Sequence, residues 1–193
     1  MTRRLETSGR SPNWLIWGLV GLMLVAIVVV VVAFVAGSGP SASQGTAIPD
    51  DGREHVAVGT TPSSRPYSST PGTSGPHWDT PANWGVYSEP LAESQSIHSL
   101  EHGGIVIWYE PEDLSPDQVS ELENYVRTQV RSERFKVIVS PWGGEDFGHP
   151  IAVAGWQWLL YLDQVDLNAI RSFTDVHYGD APEPLGGPGP PAG

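Results

Sequence analysis

His98-Ser99-Leu100-Glu101-His102 places two imidazoles and a carboxylate within five positions, ahead of Gly103-Gly104 and the apolar run Ile105-Val106-Ile107-Trp108-Tyr109. On one turn of helix, His98 and His102 share a face and Glu101 lies at its edge. Side chains so placed can chelate a metal, or they can tie a loop to a sheet through hydrogen bonds. His77 follows Thr73-Ser74-Gly75-Pro76, where tight and rigid turn residues fix the direction of the ring. If that loop folds over the 98–102 turn, His77, His98 and His102 form a three-nitrogen site, completed by Glu101, water or His55. Three imidazoles suit zinc, copper or iron, with Zn–N distances of about 2.0–2.1 Å. The expected ion is zinc or copper, held by His77, His98, His102 and Glu101, with His55 as a further ligand. The competing expectation is that these rings bond only to backbone carbonyls and hydroxyls.

His98-x-x-Glu101-His102 also matches H-x-x-E-H, the inverted zincin pattern, in which two His bind zinc and the Glu is a general base. Those enzymes carry the motif within a long helix, whereas Gly103-Gly104 ends any helix here after one turn. No catalytic residue is therefore assigned. Glu112-Asp113 and Glu145-Asp146 are adjacent acids in turns, expected to be solvated, and Ser74 lacks the G-x-S-x-G context of a nucleophile. His149 precedes Pro150 and is expected in an exposed loop. His177 falls in the last turn of the final helix, where a cation suits the dipole. Six of the eight tryptophans follow residue 77. Trp108, Trp156 and Trp158 belong to strands and so to the core, which leaves Trp78, Trp84 and Trp142 in loops for stacking on a glycan.

The elements that position these residues fall into two unlike halves. Residues 53–97 hold one short strand, His55 to Val58, and then a long Pro- and Gly-rich section that forbids regular helix. After it, Gly104 to Tyr109 reads as a strand covered on both faces. Ser115-Pro116-Asp117-Gln118 starts a helix with Ser as N-cap, Pro at N1 and Gln completing a capping box. Val119, Leu122, Val126 and Val130 give that helix an apolar face. Strands follow at Phe135 to Val139 and Ile151 to Leu162, and Asp166 caps a last helix with Leu167, Ile170 and Phe173 inward. The expected fold is α/β, or α+β, with a small mixed sheet and two packed helices in the order β-α-β-β-α. Its first two strands should run parallel through a right-handed crossover.

Trp14 to Ala36 is a 23-residue stretch without charge. As a helix it would reach about 34 Å, enough for a hydrocarbon core of about 30 Å. Trp14 and Trp17 suit the headgroup level, and Arg3, Arg4 and Arg10 against Glu6 keep the N-terminus cytoplasmic. Expected boundaries are a cytoplasmic arm 1–13, a transmembrane helix 14–36, a flexible spacer 37–52, an extracytoplasmic domain 53–180 and a disordered Pro/Gly tail 181–193. Residues 37–193 carry 7 Lys+Arg against 21 Asp+Glu, a formal charge of −14. That charge excludes a nucleic-acid partner. With no cysteine in the chain, disulfides, thiol catalysis and cysteine-ligated metals are excluded as well.

His55-Val56, the run from Pro71 to His77, Gly85-Val86-Tyr87 and His98-Ser99-Leu100-Glu101-His102-Gly103-Gly104 together resemble a bacterial family catalogued as a domain of unknown function, number 3105. The resemblance spans about residues 53–178; where the family usually reads Pro-Pro-Thr-Ser-Gly-Pro-His, this chain begins Pro71-Gly72. It implies an N-terminal membrane anchor and motif status for His55, His77, His98, Glu101 and His102, and it implies no activity. The function expected is a single-pass plasma-membrane protein whose extracytoplasmic domain binds a divalent metal. A structural or interaction module of the envelope without metal is the alternative, a metal-dependent hydrolase the second. The bilayer is the expected partner of residues 14–36, with a protein partner or envelope glycan undetermined.

Overall fold

The computed structural model describes residues 17, 20, 22–23, 44–60 and 66–191. Residues 1–41 and 42–193 form two separate units. Of the first, Trp17, Val20, Leu22 and Met23 are helical and exposed. Among the described residues no helix is long and apolar enough to cross a membrane. The rest of the expected span 14–36, the arm 1–13 and spacer residues 37–43 lie outside the described residues.

The second unit contains β1 (Thr46–Ala47), β2 (His55–Val56), β3 (His77–Trp78), β4 (Gly85–Val86), α1 (Glu93–Glu101), β5 (Ile105–Tyr109), α2 (Pro116–Gln129), β6 (Val137–Pro141), β7 (Ile151–Gly155), β8 (Trp158–Leu162) and α3 (Leu167–His177). Six strands form one mixed sheet in the order β1-β8-β7-β5-β6-β4, and β2 pairs with β3 alone. β5 and β6 are parallel, as the β-α-β order requires, while β5–β7, β7–β8 and β1–β8 are antiparallel.

The apolar run 105–109 is continuous because β5 is covered twice. Ile105, Ile107 and Tyr109 pack with Leu122, Val126, Ile170 and Phe173 of α2 and α3. Val106 and Trp108 face the other way, onto Ile97 and Leu100 of α1 and a group of aromatic rings that includes Trp84, Trp142 and Trp156. Two of the three loop tryptophans, Trp84 and Trp142, are thus core residues at 4% and 5% exposure. Their indole N–H groups donate to the carbonyls of Pro188 and Glu145. Trp78 is half-buried and donates to Thr60 O.

Both expected caps are present. Ser115 and Gln118 complete a reciprocal capping box on α2, and Asp166 accepts from the amides of Asn168 and Ala169 at the start of α3.

Four expectations are corrected. The segment 151–162 is not one strand but a hairpin, closed by Trp156-Gln157 with Gln157 at φ 60°. Three helices pack on the sheet rather than two, because α1 extends well upstream of the expected single turn. Residues 44–48, expected within the flexible spacer, form an edge: β1 pairs with β8, and the Ile48 amide donates to Gln157 O at 2.8 Å. Main-chain pairing to an open sheet edge needs no apolar side chain, so hydrophobic periodicity could not announce it. Residues 181–191, expected as a disordered tail, lie against the domain. Lys136 Nζ donates to the carbonyls of His102, Pro184 and Gly186, and the Glu183 amide donates to Glu101 O.

Gly104 joins α1 to β5 at a point of close approach. A Cβ there would overlap the Trp84 ring and stand 2.9 Å from the Ser99 carbonyl oxygen, and backbone cannot move aside as a flexible side chain would. Gly104→Ala is expected to destabilise the fold by about 1–3 kcal/mol, the usual cost of overpacking. Chemical denaturation of the full-length chain measures it, and an unchanged midpoint would refute the tight packing.

Candidate metal centre

α1 is amphipathic in an unusual sense: Ser96, His98, Ser99 and Glu101 are as buried as Ile97 and Leu100. Its last turn therefore carries polar groups into the protein. Gly103, at φ 76°, donates to Leu100 O, and Gly104 donates to Ser99 O, ending the helix there. His98 and Glu101, three residues apart, share the inward face.

The loop 71–77 brings the next ring. Gly75 adopts φ 111° and lies against Tyr67, whose hydroxyl donates to Pro76 O. The turn delivers His77 into β3, fully buried. Parallel pairing then sets His55 of β2 directly beside His77. One ligand atom each from His55, His77, His98 and Glu101 lie within 4.8 Å of one another. His55 Nε2 and His77 Nε2 both stand 3.1 Å from Glu101 Oε2. Rings of His55 and His98 stack with centroids 4.7 Å apart, and His77 lies 5.0 Å from His98.

Two rings are locked by backbone. His77 Nδ1 bonds to Gly75 O at 2.8 Å and His98 Nδ1 to Trp78 O at 2.6 Å. A carbonyl only accepts, so each Nδ1 carries its proton and each neutral ring keeps its lone pair on Nε2, that of His77 toward Glu101 Oε2. Burial pushes both imidazoles below their ordinary value of 6.5, against the raising effect of those same backbone bonds. At neutral pH the His77 lone pair thus faces a carboxylate oxygen at 3.1 Å, two acceptors with no hydrogen between them. A cation resolves that conflict. Ligands about 2.0–2.1 Å from a tetrahedral zinc stand about 3.3 Å apart, close to the 3.1 Å of the His55–Glu101 and His77–Glu101 pairs.

The structure therefore brings together His77, His98 and Glu101 with His55, the residue given above only as a further ligand. His102 is outside the four. As the C-cap of α1 it leaves the helical path, and although its ring lies 4.7 Å from His98, its Nδ1 faces Glu183 O at 3.2 Å. The tail closes on that ring so tightly that a Cβ on Gly186 would overlap it. No spacing in the sequence signals the pairing of His55 with His77, because each heads a two-residue strand.

The remaining histidines divide. His149 pairs with Asp163 at 2.9 Å and stacks on Tyr161, a loop role as expected. His177 is corrected: it is not a cation at a helix end but a buried ring at 2% exposure, stacked on Trp158, with Nε2 on Gln44 O. Burial lowers its pKa too.

A family model described as "Protein of unknown function (DUF3105)" matches residues 60–188. The chain belongs to this family. The DUF3105 match includes His77, His98, Glu101 and His102 and begins five residues beyond His55. No curated protein and no solved structure matches the chain.

Three buried imidazoles with depressed pKa values contribute to the acid limb of stability. His77, His98 and His177 bind protons more weakly folded than unfolded, so their contribution is intact above about 6.5 and is lost as pH falls toward the folded values. The metal-free full-length chain should therefore denature at lower urea as pH drops from about 7.5 to about 5.5. A midpoint that stays constant or rises over that interval would show that these rings are not buried neutral.

Proposed function

We propose that this DUF3105 protein holds one divalent ion, zinc or copper, through His55, His77, His98 and Glu101, on the outer side of a bacterial plasma membrane to which residues 14–36 tether it. The observation that carries the metal is the meeting of the His77 Nε2 lone pair with the buried Glu101 carboxylate at 3.1 Å, with His55 and His98 donor atoms within 4.8 Å. Three imidazoles and one carboxylate are a nitrogen and oxygen donor set of the kind that takes Zn(II) or Cu(II). Cu(I) would want sulfur, and the chain has no cysteine and only Met1 and Met23. The tether reading rests on the uncharged 23-residue run and on the basic arm before it.

The centre organises rather than catalyses. Glu101 stands where a ligand would stand, so the H-x-x-E-H scheme loses its general base, and four protein ligands leave no position for a reactive water. Surface grooves of about 490 Å³ beside Tyr125 and Arg171 and about 510 Å³ beside Tyr67 and Tyr161 do not include these histidines. The ion would bind three chain segments, at 55, 77 and 98–101, into one corner.

Elemental analysis of the untagged full-length chain should give one zinc or copper per molecule. His77→Ala and His98→Ala should each weaken zinc binding by more than about 100-fold, since even a hydrogen-bond partner of a ligand is worth about 10–100-fold. His102→Ala should stay within about tenfold of the parent. A folded chain that takes up neither ion, as judged by circular dichroism and metal content together, would sink the reading.

A further inference from the structure

The four ligands are not equivalent. His77, His98 and Glu101 are buried, at 0%, 5% and 1% exposure, and both of these imidazoles are oriented by backbone carbonyls. The side chain of His55 is 45% exposed, and its polar contact is Glu101 Oε2 itself. Its segment is held differently too. From Gly52 to Thr60 every residue is exposed except Val56, which is half-buried. The segment is joined to β3 and the loop before it through the backbone, with the amides of Gly75, His77 and Asp79 donating to the carbonyls of Gly52, Glu54 and Val56, and through the Trp78 indole on the Thr60 carbonyl. A two-residue strand whose side chains are at most half-buried, held mainly by main-chain bonds, belongs to the low end of local stability and opens without global unfolding.

We propose that His55 is the exchange position of the centre: a fixed tripod of His77, His98 and Glu101 keeps the ion while β2 lifts, and an external imidazole-type nitrogen donor takes the place of His55. The step is a ligand substitution. The bond from His55 Nε2 to the ion breaks, the lone pair of the incoming nitrogen forms its replacement, and neither the ion nor any ligand is oxidised or reduced. Ion transfer to and from histidine-bearing donors would pass through this position. The inference rests on the metal reading and names the route by which that ion is exchanged.

The test loads the full-length chain with Co(II), whose visible bands report tetrahedral coordination, and follows its release to EDTA. His55→Ala should keep one Co(II) per chain but release it at least about tenfold faster than the parent. Free imidazole should restore both the parent spectrum and the slow release in His55→Ala, and should do neither in His77→Ala. Hydrogen exchange gives a second readout: zinc should slow the amides of Gly75, His77 and Asp79 in the parent by about tenfold or more, and should not slow them in His55→Ala. If His55→Ala holds no cobalt, releases it at the parental rate or ignores imidazole, the exchange position is wrong although the centre stands. If the parent itself binds neither Co(II) nor Zn(II), it is the metal centre that fails.

Discussion

A carboxylate with 1% exposure at the end of a helix is the constraint around which this domain is arranged. Leaving such a charge without compensation costs several kcal/mol, so it must be met by hydrogens or by positive charge. Histidine nitrogens from strands of two distant segments stand 3.1 Å from Glu101 Oε2, and a cation among them would supply the compensating charge. Satisfying that one group dictates the tight turn at Gly75, the parallel pairing of β2 with β3 and the orientation of α1. Its main-chain carbonyl is engaged as well, by the Glu183 amide. The sheet and its two apolar layers supply the rigid frame against which those contacts can be directional.

How far the fold was legible follows from what each element buries. β5, α2 and α3 bury apolar side chains and carry local end signals, so their periodicity and their Ser115 and Asp166 caps marked them in advance. The parallel β5–β6 pair followed from the helix between them. α1 escaped because it buries serines, a histidine and a glutamate alongside two apolar residues, and begins at Ala92 without a side-chain cap. The 151–162 hairpin escaped because its turn places glutamine, not glycine or asparagine, at positive φ.

The candidate site was legible in its parts and not in its closure. Three of its four residues stand in recognisable patterns around 77 and 98–101, and helical spacing alone put His98 and Glu101 together. The same spacing placed His102 with them, which fails because the helix ends at that residue and the ring turns to the tail. Periodicity holds only as far as the helix does. His55 joins through strand register, a property of two chain segments that no single-segment pattern contains.

Both extremities of the described unit are sewn to elements far along the chain. Gln44 O accepts from His177 at one end, and at the other the carbonyls of Pro184 and Gly186 accept from Lys136 while that of Pro188 accepts from Trp84. A fragment cut by hydropathy, from 53 to 180, would lose every one of these stitches and expose the ring of His102 and the ammonium of Lys136. Main-chain carbonyls, and not hydrophobic content alone, thus tie both ends of the compact unit 42–193 to its sheet and helices.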